Sequence, residues 1–526
     1  MLVTLCLCGA VALAHAMTNL DLETATKAAN PILWADVPDV SIVRVGKAYY
    51  MASTTMHMSP GLPIMKSTDL VNWKLVSYAY ETLGDNDALT LQNGKNAYGK
   101  GSWAPSLRYH KGTFYATTFS STTGKTYIFT TKNPEKEPWK EVSFSPSFHD
   151  HSLFFDDDGR VYLVYGAGDI RLVELNEDLS GVKAGGTNKV IIKNATAVAG
   201  GQPGLPAEGS QLFKVNGKYY ICNITWPRGG MRMELVHRAD TIDGPYEGRV
   251  MFKDQGIAQG GIVDTPDGRW FSYLFRDTGA VGRIPWLVPM TWEDGWPVVG
   301  IDGKAPATLD LPEAKLGVKG IVASDEFRRK SGEKPWPLAW QWNHNPDNAN
   351  WSLAARPGFL RLATGRVDTS VVEARNTLTQ RTFGPVSSAT TMVDAQGLRD
   401  GDIAGMVALM GRCGYVGVKR SGDEFSVVMV SAETGSPVEV ATVPVSTGRV
   451  YFKIECDFRD VRDEASFHYS LDGKKWNSVG KTVKLRYDLA HFMGCRLGLF
   501  TYATKTAGGH ADFDFYRVGT ELSPRP

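Results

Sequence analysis

The chain has 526 residues, of which 43% are hydrophobic and 21% charged, and this ordinary globular usage excludes a disordered or fibrous protein. Its 57 basic and 56 acidic residues give a net charge of +1 without any polybasic run, which argues against nucleic acid or an anionic membrane as partner. The 55 glycines indicate many tight turns and favour a β-rich architecture.

The N-terminus predicts export. Residues 2–14 form an apolar run that is followed by the small-residue pattern Ala14-His15-Ala16. This run is shorter than the about 20 apolar residues that a membrane helix needs. We therefore expect residues 1–16 to be a secretory signal peptide and the mature chain to be secreted or periplasmic, with no membrane span.

The cysteines of the mature chain show no paired spacing. They are Cys222, Cys413, Cys456 and Cys495. We expect buried, apolar thiols rather than metal ligands, and one disulfide among the last three stays open as an alternative.

A short pattern recurs five times in the first 300 residues: a turn, then glycine, a polar residue, and apolar or aromatic residues. The copies are 45–49 (VGKAY), 111–115 (KGTFY), 158–162 (DGRVY), 216–220 (NGKYY) and 267–271 (DGRWF). Asp-Gly and Asn-Gly between apolar runs are strong hairpin signals, because the turn needs positive φ. A weaker second element, a polar turn and then an aromatic residue, follows most copies, although the third copy lacks the aromatic residue. Two hairpins per unit are typical of a four-stranded propeller blade.

These units predict an all-β chain with a five-bladed β-propeller over residues 25–305. An irregular sandwich with coincidentally similar turns is the alternative. After a Pro/Gly/Lys-containing linker near 300–320, short alternating strands without the blade pattern predict a β-sandwich over residues 321–526.

Acidic residues recur at one position of the repeat, seven to nine residues before each glycine. This position lies at the mouth of the central channel, and it holds Asp39, Trp103, Asp150, Glu208 and Gln259. Three acids in one narrow funnel repel each other and are costly to desolvate, so their assembly indicates chemistry rather than structure. Asp36 competes with Asp39 for the first position.

The motifs around these acids resemble glycoside hydrolase family 43, in its two-domain arabinofuranosidase and β-xylosidase branch. The matching blocks are 37–42 (VPDVSI), 150–154 (DHSLF), 208–212 (EGSQL), 260–265 (GGIVDT) and 282–283 (GR), and 325–515 resembles that branch's concanavalin-like sandwich. The resemblance implies an inverting mechanism with Asp39 as general base and Glu208 as general acid. Asp150 would modulate the acidity of Glu208 and orient it, and Arg283 would bind the sugar or the carboxylates, unless it forms an ordinary surface ion pair.

The chain departs from the family pattern at two positions. Val40 stands where many relatives carry proline, and Ala258 stands where many carry a histidine that binds substrate or metal at the channel centre. We therefore expect no required cofactor and no metal ligand set, although a structural cation such as calcium, held by carbonyls and water, stays compatible with the sequence.

Aromatic residues near the acids are further candidates for binding substrate. Trp103 and Trp34 would form sugar-facing walls or belong to the core, Gln259 lies at a channel-mouth position, and His57 would line the pocket or be a buried structural histidine.

The sequence favours an exo-acting hydrolase that removes terminal α-L-arabinofuranose from plant hemicellulose side chains. A β-D-xylosidase or a dual activity is the alternative, and a non-catalytic carbohydrate-binding propeller is a different class. The expected partners are arabinose- or xylose-bearing oligosaccharides, and neither nucleic acid nor a membrane.

Overall fold

The computed structural model describes residues 27–330 and 332–523, so the predicted signal peptide lies outside the described residues. Among these residues, no helix has the length and apolarity that crossing a bilayer requires. The described segments are almost entirely strand and turn, and their helices are the short 3₁₀ turns Ala195–Ala199, Gly279–Val281, Gly317–Gly320 and Arg459–Val461.

The described N-terminal half forms five four-stranded antiparallel sheets, which confirms the predicted propeller. The strand β1 (Lys27–Ala29) precedes the blades, and β4 (Met58–Ser59) lies in a loop of the first blade. In hydrogen-bonded order the blades are β2 (Ser41–Val45), β3 (Ala48–Ala52), β5 (Gly61–Ser67), β6 (Lys74–Tyr80); β7 (Ser106–His110), β8 (Thr113–Ser120), β9 (Lys125–Thr131), β10 (Lys140–Phe144); β11 (Ser152–Phe155), β12 (Val161–Tyr165), β13 (Ile170–Leu175), β14 (Asn188–Ile192); β15 (Pro203–Val215), β16 (Lys218–Pro227), β17 (Met233–Ala239), β18 (Glu247–Phe252); and β19 (Ala258–Asp264), β20 (Trp270–Asp277), β21 (Arg283–Glu293), β22 (Trp296–Val299).

The repeated glycines form the turn between the first two strands of each blade. Gly46, Gly112, Gly159, Gly217 and Gly268 adopt φ between +63° and +85°, and an added Cβ would meet no atom within 4 Å at any of them. Glycine is therefore needed for its left-handed backbone and not for space.

Serine hydroxyls join the first strands of neighbouring blades. Ser41 Oγ accepts from the Leu107 amide (3.0 Å), Ser106 Oγ from Leu153 (3.1 Å), and Ser152 Oγ from Leu212 (3.0 Å). The first strands thus pack around the ring in fixed register. Since Ser41 and Ser152 each follow an acid by two residues, the same bonds position the acids Asp39 and Asp150.

The ring closes through the segment that precedes the first blade. The strand β1 pairs with β23 (Thr308–Pro312), which follows the last blade. Asn30 adds side-chain bonds to the backbone of the last blade, donating to the Leu287 carbonyl (2.8 Å) and accepting from the Leu287 amide (3.1 Å).

The described C-terminal half is a two-sheet sandwich, as predicted. Its strands are β24 (Gln341–Asn343), β25 (Trp351–Ser352), β26 (Leu360–Ala363), β27 (Leu378–Arg381), β28 (Val386–Asp394), β29 (Asp402–Leu409), β30 (Gly414–Ser421), β31 (Glu424–Ser431), β32 (Val438–Val445), β33 (Arg449–Asp457), β34 (Glu464–Ser470), β35 (Asn477–Ser478), β36 (Val483–Lys484), β37 (Arg496–Ala503) and β38 (His510–Gly519). One sheet has the order β32-β31-β30-β29-β37-β27-β24-β4, and the other has the order β25-β26-β38-β28-β33-β34-β35, with β36 also on β34.

The two halves share one of these sheets, because β4 of the first blade pairs with β24 of the sandwich. Asp36 adds a buried connection: its Oδ1 accepts from the Arg283 amide (2.8 Å) and its Oδ2 from the Gly494 amide (3.0 Å). Asp36 therefore ties the propeller to the sandwich, which leaves Asp39 as the acid of the first blade that faces the channel.

The four cysteines of the described residues are free and buried. The expectation of buried thiols is met, and the alternative disulfide is not formed.

Candidate active site

Asp39 and Asp150, in the loops before β2 and β11, and Glu208, within β15, meet at one end of the propeller channel. Asp39 and Asp150 are 5% and 6% exposed, and their backbones are left-handed, with φ of +53° and +44°. Gln259 repeats this conformation in the last blade (φ +57°), while in the fourth blade Gly209 supplies it directly after Glu208 (φ +66°). Left-handed non-glycine residues are uncommon and concentrate at functional sites.

Asp39 forms a buried ion pair with Arg283. Arg283 Nη1 donates to Asp39 Oδ1 at 2.7 Å, and both side chains are 4% exposed. Burial raises the pKa of Asp39, and the charge and hydrogen bond of Arg283 oppose that rise. The pairing places Arg283 in the site, not on the surface, and leaves its Nε and Nη2 without a protein partner.

Asp150 lies close to both of the other acids: one of its carboxylate oxygens is within 4.8 Å of a Glu208 oxygen, and it lines one cavity with Asp39. Burial raises its pKa to about 7; His149 opposes this rise, and the negative charges of Glu208 and Asp39 add to it. Its Oδ1 is buried and has no hydrogen-bond partner. A buried carboxyl that responds to both neighbouring acids shows that the three share one electrostatic environment.

His149 completes the site and was not among the predicted residues. Its Nε2 lies 3.0 Å from Glu208 Oε2 and 3.9 Å from Asp150 Oδ2. Burial disfavours the imidazolium, but the hydrogen bond to Glu208 and the charges of Asp150 and Glu208 outweigh it and raise the pKa of His149 to about 9. The signal in the sequence was the histidine directly before Asp150.

The other histidine beside Asp150 is structural. His151 Nε2 bonds Thr117 Oγ1 (2.9 Å) and its Nδ1 bonds the Phe148 carbonyl (2.9 Å). Burial lowers its pKa to about 4, so the ring is neutral.

A loop of the sandwich reaches the site through Phe492. The ring centroid of Phe492 lies 4.5 Å from the Arg283 guanidinium carbon and 5.3 Å from the Trp103 ring. Trp103 also stacks on Phe119, at 6.0 Å. The half-buried Trp103 and Phe492 thus form an aromatic wall beside the Asp39–Arg283 pair, and one of its two sides comes from the second domain.

Of the remaining predicted residues, Gln259 lies beside the acids, whereas Trp34 packs on the sandwich domain. Gln259 lines a small cavity together with Asp39 and Asp150. Trp34 packs instead on Gly384 of the sandwich, whose amide donates to the Trp34 carbonyl (2.9 Å).

His57 also lies at the domain interface. It is 2% exposed, its Nε2 is 3.0 Å from Asn343 Oδ1, and it packs on His344 (4.5 Å) and His491 (5.5 Å). This placement agrees with the alternative of a buried structural histidine and not with a pocket wall.

His149, Asp150 and Glu208 offer ligand atoms within 4.8 Å of one another, the one such group of three or more in the part of the chain that the structure describes. A cation would compete there with the hydrogen bond that His149 already makes to Glu208. As they stand, these residues form an acid–base array: Asp39 is held by the Arg283 guanidinium on one side, and Glu208 is held by the His149 imidazolium on the other.

Comparison with known proteins gives two domain matches. The family described as "Glycosyl hydrolases family 43" matches residues 28–297, and "Beta xylosidase C-terminal Concanavalin A-like domain" matches residues 324–519.

Relatives are similar over most of their length. A protein of Formosa agariphila named "Beta-xylosidase" is 29% identical, over 93% of this chain and 89% of the relative. A protein of Bacteroides ovatus named "Non-reducing end alpha-L-arabinofuranosidase BoGH43B" is 30% identical, over 66% of each chain. The solved structure of a bifunctional GH43-CE protein of Bacteroides eggerthii has 59% identity and a TM-score of 0.93, covering 95% of this chain. This chain spans 64% of that bifunctional protein's length.

Proposed function

The chain belongs to glycosyl hydrolase family 43 and is a glycoside hydrolase, and from this premise we propose that it is an exo-acting, inverting enzyme that releases terminal α-L-arabinofuranose from hemicellulose side chains. The membership confirms the resemblance drawn from the motifs. The observation that carries the proposal is the convergence of Asp39, paired with Arg283, and Glu208, paired with His149, on one site that also holds Asp150.

Asp39 acts as the general base. Inversion requires a carboxylate that removes a proton from water while the water oxygen bonds to the anomeric carbon from the face opposite the leaving group. Asp39 must be ionised to do so, and the buried Arg283 opposes its protonation. The ion pair with Arg283 thus favours the ionised form of Asp39, in a site where burial alone favours the protonated form.

Glu208 acts as the general acid. It gives its proton to the glycosidic oxygen as the bond to the anomeric carbon breaks, so the sugar leaves with inverted configuration and the leaving group departs as an alcohol. Asp150 and His149 lie beside Glu208, with His149 Nε2 3.0 Å from Glu208 Oε2, and orient it. These proton transfers use only side chains of this chain, and we propose that no cofactor takes part.

The shape of the site supports removal of one terminal sugar. Asp39, Asp150 and Gln259 line one small cavity, and the Trp103–Phe492 wall lies beside the Asp39–Arg283 pair. We infer that a site bounded by buried acids and an aromatic wall takes one terminal sugar and not the middle of a polymer. Together with the predicted signal peptide, it supports a secreted or periplasmic enzyme acting on oligosaccharides.

A second candidate is a β-D-xylosidase. The name of the Formosa relative favours it, and the two pentoses present similar hydroxyl patterns to one pocket. The name of the Bacteroides ovatus relative favours the arabinofuranosidase.

The test compares the hydrolysis of aryl α-L-arabinofuranoside and aryl β-D-xyloside, with the anomer of the released sugar followed by NMR. We expect faster release of arabinose, with inversion, and near-complete loss of turnover in Glu208→Gln with sugar binding retained. Faster release of xylose would select the second candidate. Retention of configuration, or Glu208→Gln turnover at the parent rate, would contradict the mechanism, and full binding without turnover in the parent would indicate a carbohydrate-binding propeller.

A further inference from the structure

An exposed tryptophan stands beside the site without a role in the chemistry described above. Trp226 is 43% exposed, which is unusual for an indole in a chain whose other described tryptophans are buried or half-buried. Its neighbour across the loop, Met231, is 40% exposed. An exposed apolar surface of this kind indicates a ligand-binding surface when it lies next to a binding pocket.

The strand register places Trp226 on the hairpin that carries the general acid. In the pairing of β15 with β16, Glu208 lies opposite Ile224, and Leu205 lies opposite Trp226. Trp226 therefore stands at the end of the hairpin, two residues beyond the partner of Glu208. The loop that follows it leads directly to Arg232.

Arg232 connects Trp226 to the side of the site that holds the base. Its guanidinium carbon lies 5.3 Å from the centre of the Trp226 ring, and it forms an ion pair with Asp277. Asp277 lies opposite Arg283 in the pairing of β20 with β21, and the charge of Arg232 acts on Asp39. The side chain of Arg232 thus links Trp226 to the groups around Asp39. Trp226 also lies on the same hairpin as Glu208.

The ring is held in place but remains open. Its Nε1 donates to the Gly230 carbonyl (2.9 Å), so the polar edge of the indole is occupied within its own loop. Arg232 covers one face, and the exposed fraction belongs to the remainder of the ring. A flat, immobilised aromatic surface loses little conformational entropy when a sugar ring stacks on it.

We propose that Trp226 is the platform for the sugar on the leaving-group side of the scissile bond, stacking on the pyranose ring to which the terminal pentose is attached. This inference rests on the proposed function. On a xylan-type chain, both candidate activities cleave a pentose from a xylopyranosyl unit, so the same ring occupies the platform in either case. The platform lies outside the cavity beside Asp39, and it selects the aglycone rather than the sugar released.

The test measures binding in the Glu208→Gln background, where the substrate is not consumed. We expect Trp226→Ala to weaken the binding of an arabinoxylan oligosaccharide and of xylotriose about 10- to 30-fold by calorimetry, and Trp226→Phe to weaken it about 3-fold or less. Binding of free arabinose or xylose, which occupies the cavity alone, stays unchanged. Trp139→Phe, at a half-buried tryptophan before the outer strand of the second blade, is the matched control and leaves all affinities unchanged.

In the active enzyme, Trp226→Ala raises KM for the oligosaccharide with little change in kcat. A second measurement uses Trp226→Phe, which keeps an aromatic ring: the part of the xylotriose-induced fluorescence change that comes from Trp226 is lost, and the part that comes from Trp103 in the wall remains. Equal oligosaccharide affinity in the parent and Trp226→Ala, or equal weakening of free arabinose, overturns the proposal. A parent that hydrolyses neither pentoside and binds no sugar overturns the proposed function instead, so the two failures are distinguishable.

Discussion

Replacing Arg283 by methionine removes the partner of a buried carboxylate while keeping most of the side-chain volume. The Arg283 and Asp39 side chains are each 4% exposed and bonded at 2.7 Å. Removing one partner of a buried ion pair costs about 3–5 kcal/mol if the other stays charged. The protein avoids this cost by protonating Asp39, and at about 1.36 kcal/mol per pKa unit the penalty corresponds to a rise of about 2–4 units in the pKa of Asp39.

The assay is the dependence of kcat/KM on pH. The base must be ionised, so a raised pKa of Asp39 moves the acidic limb of the profile to higher pH by about 2–4 units, and kcat/KM at pH values below the parent's acidic limb falls about 10²- to 10⁴-fold. Arg283→Lys, which keeps the charge, loses less. The control is Arg44→Gln, which breaks the more exposed pair with Asp264 and leaves the profile unchanged. An acidic limb at the parent position in Arg283→Met, with the fold intact by circular dichroism, would refute this reasoning.

Three further predictions concern the domain contact and the fold. Phe492→Ala removes the sandwich side of the aromatic wall against Trp103, and we expect KM for pentosides to rise about 10-fold with an unchanged melting temperature; an unchanged KM would contradict the wall. Burial lowers the pKa of His491 to about 4, so folding disfavours its protonation, and its stabilising effect is complete above about pH 6.5 and is lost as the pH falls toward 4. His491→Phe should therefore reduce the loss of unfolding free energy between pH 7.5 and pH 5 by about 2 kcal/mol, measured by urea denaturation, and an equal acid sensitivity would contradict this. Ser152→Ala leaves the Leu212 amide without its acceptor and should lower the unfolding free energy by about 1–3 kcal/mol; a neutral effect would show that the serine links between blades are dispensable.

Much of the propeller could be predicted because its signals are local. Each hairpin depends on a glycine with positive φ and on apolar residues next to it in the chain, so the five turns at Gly46 to Gly268 identify the repeat without any tertiary information. The repeat then assigned Asp39, Asp150 and Glu208 to equivalent positions, because equivalent positions of a cyclic repeat meet around the axis.

The contacts that complete the site are between residues far apart in the chain. His149 bonds a carboxylate 59 residues away, and its histidine neighbour His151 looks identical in the sequence yet bonds only structural groups. Which of the two faces the acid depends on the left-handed turn at Asp150, which sends adjacent side chains to different sides.

By itself, then, the sequence determined the class of fold, the number of blades and the three acids, since these follow from short-range turn geometry repeated five times. Only the tertiary structure decided how the domains dock: β4 pairs with the sandwich, Asp36 binds the Gly494 amide, and His57 bonds Asn343 across 286 residues. Docking depends on the complementarity of two finished surfaces, which no local pattern encodes. For the same reason the aromatic wall of Phe492 and the platform of Trp226 become visible only once the chain is folded.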